Sequence, residues 1–163
     1  MTTTEPWLPP QWSHPLRVEL WTGHHLRPIR ADDVDLDYPA VMGSQARLYS
    51  IFGPVWGWPP ADMTFEQDLA DLVRHEEEIA RHESFNYALF DAGETALLGC
   101  VYIDPPETTD ADADISWWVV DDLVGSEVDL ALSETIPAWI SAEWPFESPR
   151  HFGWRSHPDD QVQ

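Results

Sequence analysis

The sequence predicts an α/β domain built on a mixed, mostly antiparallel sheet flanked by helices. Three observations carry that reading. Two apolar runs of strand length, Phe85 to Phe90 and Leu97 to Ile103, are joined at Asp91-Ala92-Gly93-Glu94. A third run, Ile115 to Val120, follows an acidic stretch, and Gly125-Ser126 then makes a turn that opens an amphipathic helix. Connections this short make sequential strands antiparallel neighbours.

The remaining elements follow in chain order. Residues 1–13 are rich in Pro, Thr and Trp without periodicity and read as an extended arm, with Trp7 and Trp12 as its docking groups. One domain is expected over residues 14–155, with a polar tail over 156–163. The alternating runs Leu16 to Leu20 and Leu26 to Arg30 flank Thr22-Gly23-His24 and read as a hairpin. Asp32 or Asp33 can cap a helix Pro39 to Tyr49, with Pro39 in its first turn burying Val41, Met42 and Leu48. Gly53-Pro54-Val55-Trp56-Gly57-Trp58-Pro59-Pro60 reads as a rigid aromatic loop. Thr64 with Gln67 forms a capping box for a helix to about His82, whose expected stripe is Phe65, Leu69, Leu72, Val73, Ile79 and Ala80. Thr108 to Asp112 is a loop. Ser126 with Asp129 resembles a second capping box, for a helix kinked at Pro137 and ended by Trp144-Pro145, and Arg150 to Arg155 is a final strand.

Composition narrows the function classes. The chain has 163 residues with 30 Asp and Glu against 8 basic residues, a formal net charge of -22. A phosphate backbone would be repelled, so nucleic acid is not an expected partner, whereas cations and amines are attracted. No apolar run reaches the roughly 18–20 residues that span a bilayer, and the N-terminus lacks a signal-peptide pattern, so a soluble, cytoplasmic protein is expected without a membrane partner. The single cysteine, Cys100, sits in a strand pattern and reads as a small buried thiol rather than a nucleophile. His75, Glu78 and His82 share a helix flank, but the spacing of known zinc helices is absent, and no metal is expected.

The order of elements, with Leu26-Arg27-Pro28-Ile29, Asp32-Asp33, Leu98-Gly99-Cys100-Val101-Tyr102-Ile103 and Ile115-Ser116-Trp117-Trp118-Val119, resembles the GNAT superfamily of N-acetyltransferases. The branch acting on ribosomal-protein N-termini is the most similar. The resemblance implies that acetyl-CoA is the cofactor, held by the backbone of Trp118, Val119 and Val120 and by the turn at Gly125 and Ser126 ahead of a helix N-terminus. It implies a small-molecule or peptide amine as acceptor, with Trp56 and Trp58 lining its channel. The family's loop pattern is Arg or Gln, two residues, Gly, one residue, then Gly or Ala. Here Asp122 and Glu127 stand at its first and last positions, so cofactor binding is expected to be weak and to improve with ionic strength. The chain also ends soon after the last strand, where a homodimer partner could complete the site.

A base must take a proton from the attacking amine. Asp114, ahead of the cofactor-like strand, and Glu76, expected in the middle of its helix's apolar stripe, are the candidates. The competing expectation, of a different class, is a non-catalytic acidic module on the same scaffold that holds a cationic ligand or partner protein.

Overall fold

A computed structural model describes residues 6–153. Six strands form one sheet in sequence order: β1 (Val18–Glu19), β2 (His25–Pro28), β3 (Phe85–Phe90), β4 (Leu97–Asp104), β5 (Ala113–Val119) and β6 (Pro149–Gly153). All neighbours are antiparallel except β5 and β6, which run parallel. A parallel pair needs a long crossover, and helix α4 (Glu127–Glu143) supplies it. The three runs that anchor the fold class are thus adjacent antiparallel strands, paired Phe85 to Ile103 and Ile103 to Ile115. Of the last strand, the part beyond Gly153 lies outside the described residues, as does the tail.

Alternation along β3 sorts the two faces. Tyr87 packs its ring on Trp139 of α4 at 4.9 Å, and Phe85 meets Trp144 at 5.0 Å. The N-terminal arm docks on this side: Trp7 donates to the Asp112 carbonyl at 2.9 Å, Trp12 lies 4.8 Å from Trp144, and Tyr87 Oη donates to the Pro15 carbonyl. On the opposite face lie Asn86 and three helices, α1 (Val34–Gly43), α2 (Gln45–Trp56) and α3 (Phe65–Ala80). At the β2 end, Arg27 grips Asp33 and Glu94 through four hydrogen bonds of 2.8–3.0 Å. That bonding, chiefly from Arg27, holds the Glu94 carboxyl at a pKa of about 2. Gly99 is obligatory for β4 to meet β5: a Cβ there would stand 2.2 Å from the Trp118 carbonyl oxygen.

Two helix expectations need correction. The helix placed at Pro39 to Tyr49 is two helices, because Ser44 leaves the helical region (φ -120°, ψ 20°) between α1 and α2. Pro39 therefore sits inside α1 rather than in its first turn. The aromatic segment is no loop at its start: α2 continues through Pro54 to Trp56 and ends at Gly57, whose left-handed φ of 63° lets its N–H close on the Gly53 carbonyl. Pro54, in the last turn, has no N–H to give the Ser50 carbonyl, and the helix nonetheless continues to Trp56.

The α3 stripe is also rotated. Its capping box forms as expected, Gln67 N to Thr64 Oγ1 at 3.1 Å and Thr64 N to Gln67 Oε1 at 2.9 Å. The buried residues are Asp68, Leu72 and Ile79, while Phe65, Leu69 and Val73 are exposed.

Candidate functional site

Helices α2 and α3 do not close fully on the sheet. They leave a cavity of about 950 Å³ whose floor is the strand face bearing Asn86, Tyr102, Asp104, Asp114 and Ser116. Alternation on β4 and β5 puts these side chains on one side. The aromatic wall comes from the end of α2 and the turn after it. Phe52 and Trp56 stack at 5.0 Å and 4°, and Tyr102 stands edge-on to both and to Trp58. Trp56 is 45% exposed, so a ring face is open. Trp118, fully buried, donates its indole N–H to Tyr102 Oη at 2.8 Å and so sets the angle of that ring. Trp56 and Trp58 are therefore in the wall of the principal cavity, while Trp118 acts beneath its floor.

The rest of the lining, with part of the floor, is acidic. Asp37, Asp68, Asp71, Glu78, Asp104, Glu107 and Asp114 line the cavity against Arg74 and Arg150 alone. Both arginines are tied to carboxylates, Arg74 to Asp71 at 3.0 Å and Arg150 to Asp114 through two bonds of 2.9 and 3.0 Å. His75, also in the wall, has its pKa pushed down to about 4 by burial and then by Arg74, and adds no positive charge near neutrality. The field in the cavity is negative.

Burial acts on the carboxyls. Asp37 and Asp68, 3% and 1% exposed, face one another at the cavity's base, and desolvation raises the pKa of each. Asp104, bonded by Ser84 Oγ, is lifted by desolvation to about 6. Asp68 shares a hydrogen bond with Asp37, whereas the buried acceptor Asn86 Oδ1 on the same surface has no hydrogen-bond partner. None of Asp37, Asp68, Asn86 and Asp104 was singled out in the sequence. Leu72 and Ile79, seven residues apart on α3, carry the signal for Asp68, since a residue four before Leu72 shares its face.

The sequence's two base candidates part company here. Asp114 lies in the cavity floor, with its oxygens engaged by Arg150 and by the Glu107 N–H. Glu76 is exposed outside the cavity and accepts from the Ala31 N–H, capping the short turn ahead of α1. Among the described residues, no three His, Cys, Asp or Glu side chains are grouped to hold a metal ion.

The cofactor-like segment is built as follows. Val120 N donates to Leu98 O at 2.9 Å, so Val119, one residue earlier, presents its polar groups to the other edge of β5. There its carbonyl accepts from Arg47 Nη2, and Arg47 Nε pairs with Asp121. Gly125 adopts φ 79°, and its N–H donates to Asp129 Oδ2 at 2.8 Å. Ser126 caps α4 by accepting from the Asp129 N–H at 3.4 Å, while its hydroxyl donates to Leu123 O. Asp122 and Glu127 are exposed and Asp129 is fully buried.

A mostly antiparallel sheet with one parallel pair bridged by a glycine turn and helix, with helices on both faces, is the GNAT N-acetyltransferase fold. Solved structures agree. A ribosomal-protein-S5-alanine acetyltransferase from Vibrio fischeri superposes with TM-score 0.58 at 16% identity, covering 78% of this chain and 69% of that one. RimL, a ribosomal L7/L12 α-N-protein acetyltransferase, gives 0.58 at 17% over 82% and 70%. Mycobacterium smegmatis RimJ, in complex with a CoA disulfide, gives 0.57 at 14% over 83% and 65%. No family model and no curated protein sequence matches the chain, so the likeness is one of fold. No helix among the described residues is long and apolar enough to cross a membrane.

Proposed function

We propose that this chain binds a primary-ammonium ligand in the acid–aromatic cavity of a GNAT scaffold. One observation carries the reading: Asn86 Oδ1, a buried acceptor without a partner, lies on the surface of a cavity lined by seven Asp and Glu carboxyls. An unmatched buried acceptor costs about 1–3 kcal/mol, so the cavity selects for an occupant rich in donors. An ammonium offers three donors and a positive charge. The surrounding carboxylates attract that charge, and the open Trp56 face adds a cation–π contact of about 0.5–2 kcal/mol. A neutral alcohol of the same shape satisfies fewer acceptors and gains nothing from the field.

Calorimetric titration with a short aliphatic primary amine and with the matching alcohol tests this. The amine is expected to bind at least about tenfold more tightly. Its affinity should fall as the pH drops from 7 to 5, because Asp104, with a pKa of about 6, loses its charge over that window. Equal affinities for amine and alcohol, or no amine binding at millimolar concentration, would refute the proposal.

A second reading, acetyl transfer from acetyl-CoA to the bound amine, is favoured by the cavity's position: its floor includes Ser116 and Asp114 of β5, the strand that the resemblance makes the cofactor's. In that reading Asp104 is the carboxyl best suited to take the amine's proton, since Asp114 is held by Arg150 and Glu76 is outside. At the start of α4 the exposed carboxylates Asp122 and Glu127 stand against a pyrophosphate, which weighs toward the first reading.

A further inference from the structure

Building on the amine reading above, we infer that the cavity holds a dication, a short α,ω-diamine with one ammonium at Asn86 and the other at Asp104. Asn86 is 3% exposed and lines the cavity, and its Oδ1 accepts from no group among the described residues. Asp104, on the same surface, takes a hydrogen bond from Ser84 Oγ at Oδ1. Asp71 and Asp114 hold Arg74 and Arg150, but among the described residues no arginine or histidine is paired with Asp104. The carboxylates of Glu78, Asp114 and Glu107 reinforce the negative field there. An uncompensated carboxyl and an unmatched acceptor thus share one cavity, and each favours a donor that carries charge.

Sheet register sets the spacing of the two positions. Asn86 pairs with Tyr102 across β3 and β4, and Asp104 lies two residues beyond Tyr102 on the same face. Asn86 and Asp104 are therefore diagonal neighbours, roughly 7–8 Å apart at the backbone, with side chains that stand off the sheet on one side. A single ammonium does not bridge that spacing, because two acceptors at ~2.9 Å from one nitrogen are at most ~6 Å apart. Two nitrogens joined by four or five methylenes do, since five or six bonds of extended chain at ~1.2 Å each reach roughly 6–7 Å before the hydrogen bonds at either end are added. The methylenes have an apolar surface to lie on: Tyr102 stands beside the line joining the two positions and packs its ring against Phe52 and Trp58.

Calorimetry on the full chain near pH 7 and about 150 mM salt, where distant charge is screened, compares butylamine with α,ω-diaminobutane, α,ω-diaminopentane and α,ω-diaminopropane. Diaminobutane or diaminopentane is expected to bind at least about tenfold more tightly than butylamine, and diaminopropane, whose four bonds reach only ~5 Å, within about threefold of it. In Asp104→Asn the advantage of the longer diamines should fall below about threefold. An equal gain for every diamine would mark net charge rather than a built spacing and would overturn the inference. A folded Asp104→Asn chain that keeps the tenfold preference would do the same, and if that variant does not fold, the wild-type length series decides alone. Butylamine that binds more tightly than butanol, with no diamine tighter still, would overturn the dication and leave the single-ammonium reading standing. No binding by any amine would overturn both.

Discussion

Asp104 shows at the scale of one residue how the cavity is kept acidic at a cost to the fold. Burial raises its pKa to about 6 from an ordinary value of 3.8, so the folded chain binds that proton more tightly than the unfolded chain does. By linkage, stability contributed at this site is full below about pH 4 and is lost as pH rises through 6. The isosteric neutral variant Asp104→Asn is therefore expected to gain about 1–2 kcal/mol at pH 7 and almost nothing at pH 4, measured as denaturation midpoints at the two pH values. A gain that is the same at both would mean that the carboxylate is not strained by its surroundings. Loss of amine binding in the same variant at pH 7 would separate stability from function at one position. Asp104 closes the run Leu97 to Ile103 as its next residue, and in the sequence it reads as a polar strand end. Only its pairing with Asp114, on a strand reached through a turn of chain, places it on a cavity floor.

At the scale of elements, α3 is the clearest case of what a sequence pattern can and cannot fix. Thr64 and Gln67 set its start, and Leu72 and Ile79 are buried as the periodicity requires. Phe65, Leu69 and Val73 also obey helical spacing, yet they face outward, because a stripe this wide has two possible centres and the choice depends on what the helix packs against. The choice made here turns Asp68 and His75 toward the sheet, where the cavity needs them. Leu72→Ala is accordingly expected to cost about 2–4 kcal/mol and Leu69→Ala less than about 1 kcal/mol in chemical denaturation. Equal costs would return α3 to the register that the stripe suggests. The break at Ser44 was passed over because the apolar run Val41, Met42 and Leu48 reads as one continuous helix. Gly43-Ser44 offers a helix stop followed by a cap residue, and the hydroxyl of Ser44 is engaged at long range, accepting from Asp121 N. Pro54 misleads in the opposite direction, since α2 gives up the bond to the Ser50 carbonyl and still runs on to Trp56.

At the scale of the whole molecule, strand order was readable because consecutive runs with short connections have few alternatives. The cavity was only half readable. Trp56 and Trp58 stand out in sequence, whereas its acidic half is assembled from α1, α3, β4 and β5 and has no sequence motif. The net charge of -22 then has a local counterpart: both arginines on the cavity surface are already paired, and the buried acceptor Asn86 Oδ1 is unmatched. Together these features support the proposed reading, a cation-binding cavity on a GNAT fold. The most direct measurement is a resonance titration of the full chain with a short primary amine, following the indole N–H signals of Trp56 and Trp58 and the side-chain amide of Asn86. The account predicts that all three move together and saturate, while the matching alcohol leaves them in place. Saturable amine shifts confined to residues outside the cavity, or none at all, would contradict it.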